Sequence, residues 1–251
     1  MKQKFVYSLI TLSFLFSTPV FSEGQEIIVS AASSLTDVLR KIGEKFEKKH
    51  GVKAVFNFGS SGSLYQQIEK GAPADVFISA DEETLDKGIK KNILDQKSKK
   101  ILLKNNLVLI LPQASTAKIE TLKDLQKSEF KRIAIGNPNS VPAGRYAEQT
   151  LEKEKLLVAL KEKFIPCENV RQVLDYVSRE ETDAGFVYQT DASLAEGKVK
   201  VVLLLSGHKP ILYPGTLVSG TKHSEASLLF LEFLQSPEAK EIFTQFKFIL
   251  P

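Results

Sequence analysis

The chain has 251 residues, of which 43% are hydrophobic and 25% are charged, and its formal net charge at pH 7 is +4. This composition is typical of a folded globular protein and excludes a disordered or collagen-like chain. The 34 basic and 30 acidic residues are interspersed, so the basic stripe that nucleic-acid-binding proteins carry is absent from the sequence.

The first residues are typical of a secretory signal. Lys2 and Lys4 precede the apolar run FVYSLITLSFLF, which is too short to span a bilayer comfortably. Val20 and Ser22 match the small residues that precede a cleavage site. We expect a signal peptide over residues 1–22, cleavage after Ser22 and a soluble mature protein in the periplasm. The alternative is an uncleaved membrane anchor.

Cysteine and histidine usage argues against a disulfide or a metal site. Cys167 is the only cysteine, so no intrachain disulfide can form, and a packed small residue is favoured over a reactive thiol. The three histidines, His50, His208 and His223, lack metal-ligand spacing. We therefore expect no cofactor and no direct protein ligand to a metal.

Strand-like and helix-like segments alternate along the rest of the chain. EIIVSA reads as a strand, and it leads into a segment that ends at Gly51 and carries apolar residues on one helical face: Leu35, Val38, Leu39, Ile42 and Phe46. ADVFISA, NLVLILP, RIAIG, AGFVY and KVVLLL are further predicted strands, and the last two segments are helical. The pattern predicts an α/β protein with a mainly parallel sheet, arranged as two lobes joined by crossing strands.

Ligands of open α/β sheets bind beyond the carboxyl ends of the strands, where helices begin. In AASSLTD, Ser34 and Asp37 have the spacing of a capping box, and Ser34 either caps its own helix or faces a ligand. In FGSSGSLYQQI, several backbone N–H groups around Ser61 precede a helix and can converge on a small anion. The alternative interpretation of this segment is a flexible serine-glycine turn.

Two later junctions have similar chemistry. In NPNSVPAGRYA, Pro142 suits the first turn of a helix, and Ala143 follows it with a free N–H. In PCENVRQVL, Glu168 or Asn169 can cap a helix whose first turn contains Val170. Val170 then either donates its free N–H to a ligand or packs as an ordinary first-turn residue. Tyr188 ends the strand AGFVY, where its phenol points into a cleft unless it belongs to the core. These junctions offer neutral donors, which suit a desolvated dianion.

Six sequence motifs occur along the chain in the order AASSLTD, FGSSGSL, GAPADVFISAD, VPAGRYA, ENVRQVL and GFVYQTDA. Because of these motifs, the sequence resembles the periplasmic molybdate-binding proteins of molybdate ABC transporters. The resemblance covers essentially the whole mature chain. It implies a two-lobed type II periplasmic binding protein that holds its ligand in the cleft between the lobes. On this basis we expect residues 23–104 and 209–251 to form the first lobe and residues 105–208 the second.

The resemblance also implies five ligand-binding residues. Ser34 would contribute its hydroxyl group, Ser61 its hydroxyl and N–H groups, Ala143 and Val170 their N–H groups, and Tyr188 its phenol. The two positions after Ser61 vary among such proteins, so the N–H geometry of that turn is less defined than Ser61 itself.

The function implied is capture of molybdate or tungstate and delivery to the membrane permease of an ABC importer. The resemblance further implies a monomer that is not an enzyme and binds no nucleic acid. The alternatives are a carrier of another anion such as sulfate or phosphate, an iron carrier, and a regulatory effector-binding domain, which would need a DNA-binding segment. For an enzyme, neither a catalytic triad nor a metal cluster is evident in the sequence.

Overall fold

The computed structural model describes residues 24–251, so the predicted signal peptide lies outside the described residues. Ten strands occur in that part of the chain: β1 (Gln25–Ala32), β2 (Val52–Gly59), β3 (Val76–Ile78), β4 (Lys100–Asn105), β5 (Leu107–Pro112), β6 (Ile133–Gly136), β7 (Phe164–Cys167), β8 (Ala184–Tyr188), β9 (Val199–Leu204) and β10 (Ile211–Leu217). None of the helices described between residues 24 and 251 is long and apolar enough to span a bilayer.

Nine α-helices alternate with these strands over the same residues: α1 (Thr36–His50), α2 (Ser61–Glu69), α3 (Glu82–Lys90), α4 (Pro142–Lys153), α5 (Leu157–Leu160), α6 (Val170–Ser178), α7 (Gln189–Leu194), α8 (Ser224–Phe233) and α9 (Pro237–Gln245). Short 3-10 helices cover Ser33–Leu35, Gln96–Ser98, Leu122–Gln126 and Lys161–Lys163. The predicted α/β class is therefore confirmed.

The strands form two separate five-stranded sheets, in the orders β2-β1-β3-β10-β4 and β7-β6-β8-β5-β9. In the first sheet β1 is parallel to β2 and β3, whereas β10 is antiparallel to β3 and β4. In the second, β6 is parallel to β7 and β8, whereas β5 is antiparallel to β8 and β9. The prediction of mainly parallel sheet is wrong, because in each sheet a strand that arrives from the other half of the chain pairs in the opposite direction.

Local sequence explains how the elements begin and end. In α1 the apolar stripe is buried at Val38, Leu39, Ile42 and Phe46, and the helix stops at Gly51, whose φ of 68° is left-handed. A residue with a side chain is strained in that conformation, so glycine is the usual helix terminator. The stripe packs against the C-terminal helices, with the Phe46 ring 5.0 Å from that of Phe230.

The chain passes between the sheets twice. Asn106 alone separates β4 in the first sheet from β5 in the second, and residues 205–210 lead back from β9 to β10. We propose two lobes, residues 23–104 with 209–251 and residues 105–208, although Asn105 itself is the last residue of β4 in the first sheet. The strands β4 and β5 would then form one of the two connections about which the lobes move.

The two sheets, each with its flanking helices, form two layers that contact each other in this structure. The Gly62 N–H donates to the Ser140 carbonyl oxygen at 2.9 Å, and Arg145 of α4 forms a partly buried ion pair with Asp81. A Cβ atom on Gly62 would lie 2.6 Å from the same carbonyl oxygen, so only glycine allows this approach. The structure is therefore a closed arrangement of the two halves.

Candidate anion-binding cleft

All five residues predicted to bind a ligand line one narrow cleft between the two sheets. The walls nearly touch, since the cavity between them has a volume of only about 10 Å³. The remaining lining residues are also uncharged: Ala32, Ser33, Gly59, Ser60, Ala80, Val141 and Pro142. The walls of this cleft thus provide hydroxyl and backbone N–H groups and no formal charge.

Ser34 lies in the 3-10 helix that follows β1 and is only 3% exposed. The capping-box interpretation of Ser34 and Asp37 is wrong, because α1 begins after Leu35 without a side-chain cap. The Ser34 hydroxyl instead lies 3.1 Å from the Tyr213 hydroxyl, and Asp37 forms an ion pair with Arg171 at 2.7 Å. Tertiary contacts therefore hold both side chains.

Ser61 is the first residue of α2 and is completely buried. The Ser60 side chain caps the helix by accepting from the Ser63 N–H. The Ser61 hydroxyl accepts from the Ala80 N–H at 3.0 Å. Because one lone pair of the Ser61 oxygen is used in this way, its O–H is left to donate into the cleft.

Two helices of the second sheet point their N-termini into the same space. Ala143 follows Pro142, the first residue of α4, and Val170 is the first residue of α6. The Asn169 side chain caps α6 by accepting from the N–H groups of Arg171 and Gln172, both at 3.0 Å. The N–H groups of Ala143 and Val170 belong to first turns and have no carbonyl partner within their own helix. With α2, three helix N-termini converge on the cleft, which favours a negative charge there.

Tyr188 ends β8 and is 1% exposed. Its hydroxyl group is buried and has no hydrogen-bond partner among the described residues. Burial raises the pKa of this phenol well above its ordinary value, so the group is protonated and can only be a neutral donor or acceptor. An unpaired buried hydroxyl costs about 1–3 kcal/mol, which a ligand oxygen in the cleft would remove.

Charged groups lie behind the wall of the cleft. Arg171 contacts the fully buried Asp191, with 2.6 Å between Nε and Oδ1, and donates to the Ser34 carbonyl oxygen at 3.2 Å. Burial raises the pKa of Asp191 to about 6, and the neighbouring Arg171 offsets part of that rise. Arg171 thereby connects the Ser34 backbone to the second half of the molecule. Its positive charge is balanced by ion pairs with Asp37 and Asp191.

Sequence reasoning did not identify Tyr213, Asn105, Arg171 or Asp191. Tyr213 is 179 residues from Ser34 along the chain, so no local spacing links the two. Asn105 offered one signal in the sequence, since it is a polar residue that directly follows the run ILLK and lies close before the apolar strand β5.

Cys167 is buried, and burial raises the pKa of its thiol to about 11, so the thiol is protonated at neutral pH and packs as a small residue. Within residues 24–251, histidine, cysteine and carboxylate side chains form no group of three or more that could hold a metal ion.

Two five-stranded sheets with flanking helices that enclose a small donor-lined cleft are the architecture of a solute-binding protein. The chain belongs to the bacterial extracellular solute-binding protein family, whose model matches residues 27–248. Its relatives are binding proteins of transporters and not enzymes.

Individual relatives have narrower descriptions. The chain is 38% identical over 248 residues to the molybdate-binding protein ModA of Escherichia coli (strain K12), with 95% of each chain covered. It is 35% identical to the ModA protein of Haemophilus influenzae, with 91% of each covered. Its structure is similar to that of the periplasmic molybdate-binding protein of Azotobacter vinelandii, with a TM-score of 0.79, 25% identity and coverage of 90% and 99%.

Proposed function

We propose that this chain captures molybdate, or the closely similar tungstate, and delivers it to the membrane component of an ABC importer. The observation that carries the proposal is the Tyr188 hydroxyl, which is buried at the wall of a cleft where three helix N-termini meet and has no hydrogen-bond partner within residues 24–251. The relatives of this chain support the choice of ion, since they are described as molybdate-binding proteins and match nearly its full length.

We assign the ligand contacts to five residues. The hydroxyl groups of Ser34 and Ser61 and the Ser61 N–H would donate from the first lobe, and the N–H groups of Ala143 and Val170 and the phenol of Tyr188 from the second. An ion that contacts both sets binds the closed arrangement more tightly than an open one, so binding shifts the population towards closure.

The five proposed contact residues all provide hydrogen-bond donors, and this affects which oxyanions the cleft selects. Hydrogenphosphate carries a proton that needs an acceptor, and leaving that proton unpaired in a dry cleft costs about 1–3 kcal/mol. Sulfate has no such proton but is smaller than molybdate, so it cannot reach donors on both walls at once. The cleft should therefore discriminate against both ions.

Isothermal titration calorimetry of the purified chain with molybdate, tungstate, sulfate and phosphate tests the proposal. We expect tight binding of molybdate and tungstate, and binding of sulfate and phosphate that is weaker by at least one to two decades, which corresponds to about 1.4–2.8 kcal/mol. Equal affinities for phosphate and molybdate would contradict the donor-only cleft, and a preference for sulfate would move the function to another anion.

We further propose that the chain acts in the periplasm after cleavage of residues 1–22, as a monomer that does not engage nucleic acid. The leader pattern and the extracellular family support the location. Mass spectrometry of the protein recovered from a periplasmic extract would give the mature N-terminus, expected at Glu23, and light scattering would give the oligomeric state.

A further inference from the structure

Three buried side chains lie in a row that leads from behind the cleft to its wall. The Asn105 amide nitrogen is 3.2 Å from the Tyr213 hydroxyl, which is 3.1 Å from the Ser34 hydroxyl. Tyr213 is completely buried, and Asn105 is 6% exposed. Both therefore lack the solvent contact that would otherwise satisfy their polar groups.

The direction of the first bond follows from the orientation of the Asn105 amide. The carbonyl oxygen of that amide accepts from the Asn106 N–H at 2.9 Å, so its NH₂ group faces Tyr213 and Thr190. An amide NH₂ can only donate. The Tyr213 oxygen is therefore the acceptor in this bond.

The direction of the second bond follows from the Tyr213 hydrogen. Among the described residues, Ser34 is the hydrogen-bond partner of Tyr213 that can accept this hydrogen. If Ser34 donated to Tyr213 instead, the phenolic hydrogen would remain unpaired in the protein interior, which is unfavourable. Burial also keeps the pKa of Tyr213 well above its ordinary value, so the hydrogen is present.

We propose that Tyr213 is a positioning residue for oxyanion binding, which donates to the Ser34 hydroxyl and so directs the Ser34 O–H into the cleft, with Asn105 orienting Tyr213. The inference rests on the proposed function, because it concerns the same cleft. It adds two residues that do not touch the ion. The Ser61 hydroxyl, in the same lobe, also accepts a hydrogen bond from within the protein, in its case from the Ala80 N–H.

A double-mutant cycle measured by calorimetry with molybdate tests this inference. Tyr213→Phe should weaken binding roughly three- to tenfold in an otherwise unchanged chain, the range expected for one neutral hydrogen bond. In the Ser34→Ala background, Tyr213→Phe should cause no further loss, because the group through which it acts is gone. Tyr65→Phe is the matched control, since Tyr65 is a buried tyrosine of the first sheet layer whose hydroxyl donates to Glu69 outside the cleft.

The possible outcomes are distinct. Equal losses in both backgrounds, or an unaltered affinity in a folded Tyr213→Phe chain, would overturn the inference. If Tyr213→Phe does not fold, Asn105→Ala takes its place in the same cycle. A loss of molybdate affinity that disappears in the Ser34→Ala background supports the inference, and a loss that is additive in that background overturns it. A wild-type chain that binds sulfate or phosphate rather than molybdate contradicts the proposed function alone, and the cycle is then run with that ion. Binding of none of these ions would overturn both.

Discussion

Tyr188 combines a fully packed ring with a hydroxyl group that has no partner among the described residues. Replacing it with phenylalanine removes one donor and keeps the ring. A hydrogen bond to a charged group contributes roughly 1.5–3 kcal/mol, so we expect molybdate affinity to fall by about one to two decades. The melting temperature without ligand should stay the same or rise slightly, because an unpaired buried hydroxyl is removed.

Calorimetry with molybdate and thermal melts without it separate binding from folding in this variant. Tyr176→Phe is a suitable control, since the Tyr176 hydroxyl accepts from Gln172 on α6 and does not line the cleft. An unchanged affinity in folded Tyr188→Phe protein would make Tyr188 a core residue and remove it from the site.

At the scale of a single element, α6 depends on Asn169 for its first turn. The Asn169 side chain accepts from the N–H groups of Arg171 and Gln172 and does not engage that of Val170, which lines the cleft. Asn169→Ala should lower the free energy of unfolding by about 1 kcal/mol, the usual effect of losing an N-cap, and should also weaken molybdate binding.

Asn169→Asp is the informative companion, because aspartate caps helices as well as asparagine does. Stability in urea unfolding should therefore remain near that of the wild type. Molybdate affinity should still fall, since the added carboxylate repels a dianion one residue away from Val170, and the loss should diminish at high salt. Wild-type affinity for Asn169→Asp at low salt would be incompatible with an anion at this helix N-terminus.

At the scale of the whole molecule, closure depends on how near the two sheet layers can come. Gly62→Ala would place a methyl group 2.6 Å from the Ser140 carbonyl oxygen and 2.7 Å from its Cα atom, both on the opposite layer. Alanine is a better helix former than glycine, so α2 and the ligand-free protein should be at least as stable. We expect molybdate affinity to drop by an order of magnitude or more, because the closed arrangement is blocked.

Small-angle scattering provides the structural readout for this variant. Wild-type protein should become more compact when molybdate is added, and the Gly62→Ala protein should not. Gln66→Ala, an exposed change in the same helix, should behave like the wild type. If Gly62→Ala closed normally on molybdate, the contact between Gly62 and Ser140 would not belong to the ligand-bound form.

The local features of this protein could be read from its sequence because they depend on neighbouring residues. Pro142 at the start of α4, the Asn169 cap and the Gly51 stop each act within one helical turn. The positions where helices begin beside the carboxyl ends of strands were predictable for the same reason. The α/β class followed from hydrophobic periodicity, which is also local.

The tertiary structure decided what depends on distant segments. Strand direction in each sheet was set by β5 and β10, which cross from the opposite half of the chain and made the sheets mixed. Ser34 has the local pattern of a cap, yet its hydroxyl is engaged by Tyr213, 179 residues away. Such contacts leave no periodic or spacing signal in one sequence, because they arise only when the chain has folded and buried polar groups must find partners.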